Sequence, residues 1–318
     1  MIRVNGKKLH GEIASIPSKS YAHRAIIAAA LSDKPAKIIF NGTSDDIEVT
    51  INCLRELGSE ITRPEPGYIV VNPIVKRTET PVVDVWESGS TFRFLLPVAS
   101  SIYEKCSFIG RGRLPNRPII DLINVMKNAG VSFDSDKLPF TTSGRLHAGR
   151  YTLPGDVSSQ YVSGLLLSSP LHSFSSDIVL ESELESKPYV DMTIEVLTEF
   201  GIEVEQGENS YHIESQKYLA TDYKVEGDWS NAAFFLAAGA FGEGITITGL
   251  NINSVQGDRQ IIDVLKSFNI NIYLTEDKVV VMNSEIRASE VDLKEIPDTL
   301  PILAVIAASS KIRCFQIL

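Results

Sequence analysis

The sequence predicts an α/β protein made of repeated units and divided into two domains. Three observations carry that reading. Segments that open on polar residues and run into an apolar, Ala- or Leu-rich stretch begin at Ser20, Ser90, Ser158, Asp228 and Asp298, so successive starts lie 70, 68, 70 and 70 residues apart. The segments after each of the first four starts also recur in a fixed order. The chain of 318 residues, 43% hydrophobic and 22% charged, is of ordinary globular composition and long enough for two cores.

The elements can be read from the pattern. Ser20–Leu31, Ser90–Ile102, Ser158–His172, Asp228–Phe241 and Asp298–Ser310 read as helices with capping residues at their starts. Short β-rich runs come next at Lys37–Phe40, Cys106–Gly110, Asp177–Glu181 and Ile245–Leu250. Amphipathic helices ending near Gly or Asn come after them, at Asp45–Gly58, Arg117–Gly130, Lys187–Gly201 and Asp258–Asn269. In the third of these, Val190, Ile194, Leu197 and Phe200 fall at helical spacing. Two short strands close each unit, as at Ile270–Leu274 and Lys278–Met282, so the unit reads helix, strand, helix, strand, strand. At the start, Ile2–Val4 and Leu9–Ile13 flank Asn5-Gly6, a hairpin-turn pair.

Composition narrows the function. A net charge of −10 argues against nucleic acid as partner, and any bound anion must be met by locally concentrated cations. Neither a membrane-length apolar run nor a secretory leader pattern is visible. Cys53, Cys106 and Cys314 form no metal or redox spacing, which fits a reducing cytoplasm, and the five histidines lie too far apart in sequence for a zinc motif.

Each repeat places a polar cluster at its first helix start. These are Ser18-Lys19-Ser20-Tyr21-Ala22-His23-Arg24, Glu87-Ser88-Gly89-Ser90-Thr91-Phe92-Arg93, Ser158-Ser159-Gln160, Asp228-Trp229-Ser230-Asn231 and Pro297-Asp298-Thr299. A helix start exposes unpaired N–H groups and partial positive charge, which suits phosphate or carboxylate. Lys19 adds a mobile charge, while Arg24, Arg93 and Arg117 offer planar forks. Any one cluster alone is explained by helix capping; three at equivalent positions, each with or near a cation, point to an anion site. Lookalikes fail. Gly11 to Ser20 lacks the second glycine of a nucleotide P-loop, Gly110-Arg111-Gly112-Arg113 lacks the last glycine of a dinucleotide fingerprint, and there is no nucleophile elbow.

These residues resemble the 5-enolpyruvylshikimate-3-phosphate synthase family. Ser15-Ile16-Pro17-Ser18-Lys19-Ser20-Tyr21-Ala22-His23-Arg24 is similar to its first signature and Glu87-Ser88-Gly89-Ser90-Thr91-Phe92-Arg93-Phe94 to its second. Leu114–Ile119, Ser158–Tyr161, Ser186–Asp191, Glu226–Ser230 and Ile296-Pro297-Asp298 come next in the family's order, and the resemblance spans essentially residues 1–310. It implies the enolpyruvyl transferase fold, an α/β architecture of two domains built from βαβαββ units, with chain crossings near Glu12–Ser15 and Val225–Asp228. Residues 13–226 would be a complete first domain of three repeats that binds shikimate 3-phosphate. Residues 1–12 with 227–318 would be an incomplete second domain carrying Asp298.

The resemblance further implies a reaction. The 5-hydroxyl of shikimate 3-phosphate attacks C2 of phosphoenolpyruvate while C3 gains a proton, and the tetrahedral intermediate expels phosphate, with no metal or cofactor. By motif, Ser20, Arg24, Ser158, Ser159, Gln160 and Ser186 would hold shikimate 3-phosphate, with Tyr189 as a wall. Lys19, Gly89, Arg117 and Gln160 would contact phosphoenolpyruvate. Asp298 would be the general base and Lys19 a proton donor. Arg93 matches a family position as a ligand contact or a brace. After about Ser309 the chain departs from the family pattern, so it reads as C-terminally truncated and weakly active or inactive. On that reading Ile302, Leu303, Val305 and Ile306 would be exposed or covered by a second chain, making a dimer possible in a family usually monomeric. Two alternatives share the pattern: the sister family UDP-N-acetylglucosamine 1-carboxyvinyltransferase, and a non-catalytic shikimate 3-phosphate-binding fragment. The sister family carries Lys-Asn where this chain has Lys19-Ser20, and a cysteine in the loop that is cysteine-free here at Gly110–Asn116.

Overall fold

A computed structural model describes residues 8–75, 78–276, 278–293 and 296–308. The expected strand at Ile2–Val4, its turn and everything from Ser309 onward lie outside the described residues. After β1 (His10–Ala14), the first repeat runs α1 (Lys19–Leu31), β2 (Ala36–Ile39), α2 (Asp45–Glu56), β3 (Ile61–Thr62) and β4 (Tyr68–Val71). The second runs β5 (Val82–Trp86), α3 (Gly89–Ile102), β6 (Lys105–Gly110), α4 (Ile120–Asn128), β7 (Ser132–Phe133) and β8 (Phe140–Ser143). The third runs β9 (Arg150–Leu153), α5 (Ser159–Ser168), β10 (Ser176–Leu180), α6 (Lys187–Glu199), β11 (Glu205–Gln206) and β12 (Ser210–Ile213). Then β13 (Tyr223–Lys224) leads into α7 (Trp229–Phe241), β14 (Gly244–Thr248), α8 (Ile261–Ser267), β15 (Asn271–Leu274) and β16 (Lys278–Met282). The last element is α9 (Leu300–Ala308), entered through the 3-10 turn Pro297–Thr299.

Four sheets of four strands share one plan, in the orders β13-β2-β4-β3, β5-β6-β8-β7, β9-β10-β12-β11 and β1-β14-β16-β15. In each, the first strand runs parallel to the second and the rest are antiparallel. The parallel pair needs a helical crossover, which the first helix of each repeat supplies in the second and third repeats. The unit therefore opens on a strand that the spacing of helix starts did not reveal. The second helices also begin later than their polar leaders suggested, at Ile120 rather than Arg117 and at Ile261 rather than Asp258.

The chain divides into two compact units, Lys19–Val225 and the described residues on either side of it. The first boundary falls after Ser18, later than Ile13, because β1 pairs with β14. Each unit has its own hydrophobic core. In the Lys19–Val225 unit, α1, α3 and α5 are apolar nearly all round and lie inside, whereas α2, α4 and α6 have one apolar face. In the other unit Ile302, Leu303 and Ile306 of α9 are buried in the core with α7, and Val305 is exposed. The expected exposure of that helix is thus confined to one of its four named apolar residues, since α7 supplies the missing neighbour.

Helices α3 and α5 meet at one tight point. Pro97 cannot donate to the carbonyl of Arg93 four residues earlier, so that oxygen is left facing outward from α3. Gly164 of α5 lies against it: a Cβ there would stand 2.3 Å from the Arg93 oxygen and 3.2 Å from Pro97 Cγ. Gly164→Ala is therefore expected to destabilise the protein by about 1–3 kcal/mol, the usual cost of overpacking. Urea unfolding would measure it; an unchanged midpoint would mean that α5 can withdraw freely.

Candidate functional site

The starts of the inner helices hold the polar residues singled out by sequence. Ser88 caps α3 by accepting from Thr91 N, and Ser158 caps α5 by accepting from Gln160 N. Ser186 stands before α6 in a left-handed conformation (φ 54°, ψ 41°) and makes no side-chain cap. A left-handed serine costs backbone energy, on the order of 1 kcal/mol, so the surrounding packing must enforce it. The hydroxyls of Ser20, Ser159 and Ser186 have no hydrogen-bond partner among the described residues and remain available.

Arg24 is the most enclosed of the candidates, with 2% exposure. Its Nε donates to Thr193 Oγ1 at 2.7 Å and its Nη1 to the Ser20 carbonyl at 2.7 Å. Its Nη2 donates to the Tyr189 carbonyl at 2.8 Å and to Ser163 Oγ at 3.4 Å, and the fork lies over the Phe94 ring at 4.8 Å. Burial pushes the guanidinium down to about 10, against the pull of Tyr189, Tyr21 and Tyr223. Most of its donors therefore serve the fold, and one Nη1 hydrogen remains for a ligand.

A second cluster gathers Gly89, Arg93, Arg117 and Gln160. Arg93 Nη1 donates to Gln160 Oε1 at 2.9 Å and Nη2 to the Pro118 carbonyl at 3.2 Å, while Gln160 Nε2 donates to Ser90 Oγ at 3.0 Å. A Cβ at Gly89 would lie 2.6 Å from Arg93 Nη1 and 3.1 Å from Arg117 Nη1. The glycine is what lets both guanidinium groups approach the start of α3. Burial lowers the Arg93 guanidinium, Tyr161 opposes that, and the nearby Arg117 charge adds to it. Two cations side by side at a helix start, one of them the exposed Arg117, are the arrangement an anion would relieve.

Lys19 opens α1 and pairs with Asp46 Oδ2 at 2.8 Å. Burial would push the Asp46 carboxyl up, but the hydrogen bond and charge of Lys19, with a further bond from Ser88, hold it below the ordinary carboxylate value. From Ser88 a hydroxyl chain runs inward through Thr91 (2.8 Å) and Thr50 (2.6 Å) to His23 Nδ1 (2.7 Å). Sequence reasoning missed Asp46, Ser163 and Thr193. For Ser163 the signal was a small polar residue among the apolar residues of α5, the usual mark of a buried hydrogen bond, whereas Asp46 looks like any residue of the acidic first turn of α2 and Thr193 lies in a mixed helix.

Asp298 lies in the other unit, exposed, in the turn Pro297–Thr299. The candidates thus fall as Lys19, Ser20, Arg24, Gly89, Arg117, Ser158, Ser159, Gln160, Ser186 and Tyr189 in one unit and Asp298 in the other. Among the described residues no group of three His, Cys, Asp or Glu could hold a metal, and no helix is long and apolar enough to cross a membrane.

Two buried histidines set a pH dependence. Burial pushes His23 down to about 3 and His172 to about 4, from 6.5. The unfolded chain takes up these protons first, so stability is full above about pH 6.5 and falls as the pH drops towards about 4. Urea midpoints at neutral pH and at about pH 5 should differ, and His172→Gln should shrink the difference. Equal midpoints would mean that both imidazoles are solvated.

The chain is matched by a family model described as EPSP synthase (3-phosphoshikimate 1-carboxyvinyltransferase) over residues 4–314. A protein of Clostridium novyi (strain NT) named 3-phosphoshikimate 1-carboxyvinyltransferase is 38% identical over 322 residues, covering 97% of this chain and 74% of that protein. One of the same name from Clostridium kluyveri is 39% identical over 313 residues, with the same coverage of 97% and 74%. Among solved structures, EPSP synthase from Acinetobacter baumannii superposes with a TM-score of 0.80 at 20% identity, covering 96% of this chain and 73% of that one. The enolpyruvyl transferase NikO from Streptomyces tendae gives 0.76 at 17% identity, covering 96% and 74%. These last two likenesses are of fold.

Proposed function

This chain belongs to the EPSP synthase family, and we propose that it acts in aromatic biosynthesis by transferring the enolpyruvyl group of phosphoenolpyruvate to the 5-hydroxyl of shikimate 3-phosphate, releasing phosphate. The observation that carries the reading is the convergence of Arg93, Arg117 and Gln160 on the Gly89 helix start, with the uncommitted hydroxyl of Ser159 next to Gln160 in the chain. Each substrate bears a phosphate and a carboxylate, so a site for them must offset strong mutual repulsion with fixed donors. The family relatives bear the name of this activity rather than that of the sister enzyme acting on a UDP-amino sugar.

In this reading Ser20, Arg24, Ser158, Ser159, Gln160, Ser186 and Tyr189 bind shikimate 3-phosphate, and Lys19, Gly89, Arg117 and Gln160 contact phosphoenolpyruvate. The hydroxyl oxygen forms a bond to C2 as its proton passes to Asp298, and C3 takes a proton from Lys19. Collapse of the tetrahedral intermediate breaks the C2–O bond to phosphate and returns a proton from C3. The anchoring of Lys19 by Asp46 supports its role, because a flexible ammonium held at one carboxylate is presented in one place.

Phosphate release in the presence of both substrates tests the activity, and calorimetry with shikimate 3-phosphate tests the binding residues separately. Ser159→Ala is expected to weaken shikimate 3-phosphate binding by about 1 kcal/mol, the net worth of one hydrogen bond. Unchanged affinity would remove Ser159 from the site, and a titration of the unaltered chain without heat or competition would remove the substrate.

A further inference from the structure

His23 has no part in the binding or proton-transfer roles assigned to the other residues. It lies one helical turn after Lys19 on α1, with 1% exposure, and its Nε2 is buried without a hydrogen-bond partner. Its Nδ1 stands 2.7 Å from Thr50 Oγ1 of α2. Thr50 Oγ1 stands 2.6 Å from Thr91 Oγ1 of α3, and Thr91 Oγ1 stands 2.8 Å from Oγ of Ser88, the cap of that helix. Thr50, Thr91 and Ser88 are all buried.

A hydroxyl can donate or accept, so the distances alone leave the direction of each bond open. The imidazole decides it. Burial pushes His23 down to about 3, so at neutral pH the ring carries one N–H and one bare nitrogen. With the proton on Nε2, a buried N–H would have no acceptor. With the proton on Nδ1, Thr50 accepts it and only a lone pair is left without a partner. Buried N–H groups lacking an acceptor are the rarer of these two defects. Each hydroxyl has a single proton. Once Nδ1–H donates to Thr50, the Thr50 proton goes to Thr91, which is closer than the Asp46 carbonyl at 3.3 Å. Thr91 then donates to Ser88, and the Ser88 proton points out of the chain. The outer end agrees, because Ser88 hydrogen-bonds the Asp46 carboxylate, a group that can only accept.

We propose that His23 is a positioning residue: as the Nδ1–H tautomer it orders the hydroxyls of Thr50, Thr91 and Ser88 head to tail, so that Ser88 presents its proton to Asp46, the carboxylate that anchors Lys19 at 2.8 Å. The task given to Lys19 rests on the enolpyruvyl-transfer reading; the tautomer and the order of the chain do not. Asp46 thereby has a fixed donor on the protein side and the Lys19 ammonium on the other.

Nitrogen NMR of the full chain at neutral pH, labelled on histidine and assigned through the backbone, tests the inner end. The His23 ring proton should couple to Nδ1, with Nε2 bare; a proton on Nε2 would overturn the proposal. The unaltered chain decides this whether or not any variant folds. Carbon-detected NMR of the Asp46 carboxyl tests the outer end. Thr50→Val keeps the side-chain shape and removes the hydroxyl, so the order imposed by His23 no longer reaches Ser88. The Asp46 midpoint should then rise by about half a pH unit, and Thr50→Ser should restore it. A purely structural Thr50 would leave that midpoint unmoved in folded T50V, and this result would also overturn the proposal. The expected tautomer and midpoints in a chain that releases no phosphate would end the transfer reading and leave the ordering of Asp46 and Lys19 standing.

Discussion

Burying a guanidinium with 2% exposure obliges the protein to supply partners for it from several directions, and in the Lys19–Val225 unit that obligation falls on Arg24. Its partners come from its own helix at Ser20, from α5 at Ser163 and from α6 at Thr193 and Tyr189, with the Phe94 ring of α3 beneath. Four helices are thereby tied to one planar group. Slippage of any of them by a helical turn would strand a buried charge, a loss several times larger than that of an ordinary hydrogen bond. The starts of α1, α5 and α6 carry most of the candidate binding hydroxyls, so the same interaction that fixes the helices also fixes the hydroxyls.

The neighbouring polar groups extend this rigidity without repeating it. Arg93 orients the Gln160 amide through Oε1, which leaves Nε2 directed at Ser90. The hydroxyl chain from Ser88 to His23 carries the constraint from the surface pair Lys19–Asp46 into the core, where burial keeps the imidazole neutral. Such a network loses little when a ligand is bound, because its members are ordered beforehand.

The repeat was legible because each unit carries its own start signal: Ser88, Ser158 and Asp228 act as caps in the structure as their residue types suggest. The opening strands β5 and β9 did not show in the spacing of helix starts, and only the βαβαββ unit that the resemblance implies called for them. They are short and half-buried, and what defines them is the parallel neighbour one crossover away. Within the candidate site, the motif residues at helix starts could be read from sequence. The groups that hold them could not, because Asp46, Ser163 and Thr193 matter only through contacts far along the chain. Asp258 was the least visible of all. It looks like the acidic first turn of a helix, yet it is buried, with 4% exposure, in the Gly257–Gln260 turn.

The pairing of β1 with β14 and of β13 with β2 has a consequence for the order in which the protein is made. β1 leaves the ribosome just ahead of α1 yet belongs to a sheet whose next strand, paired Gly11 to Ile245, arrives after all three complete repeats. Conversely, β2 keeps an open edge until Ile38 meets Tyr223. Throughout most of elongation the nascent chain therefore carries unpaired backbone donors and acceptors at two places, and both are satisfied only late. The mixed sequences of these strands, His-Gly-Glu-Ile-Ala in β1 and Ala-Lys-Ile-Ile in β2, put a charged residue on each waiting edge. A charge there discourages premature pairing with another chain, and the wait ends when the partner strand emerges.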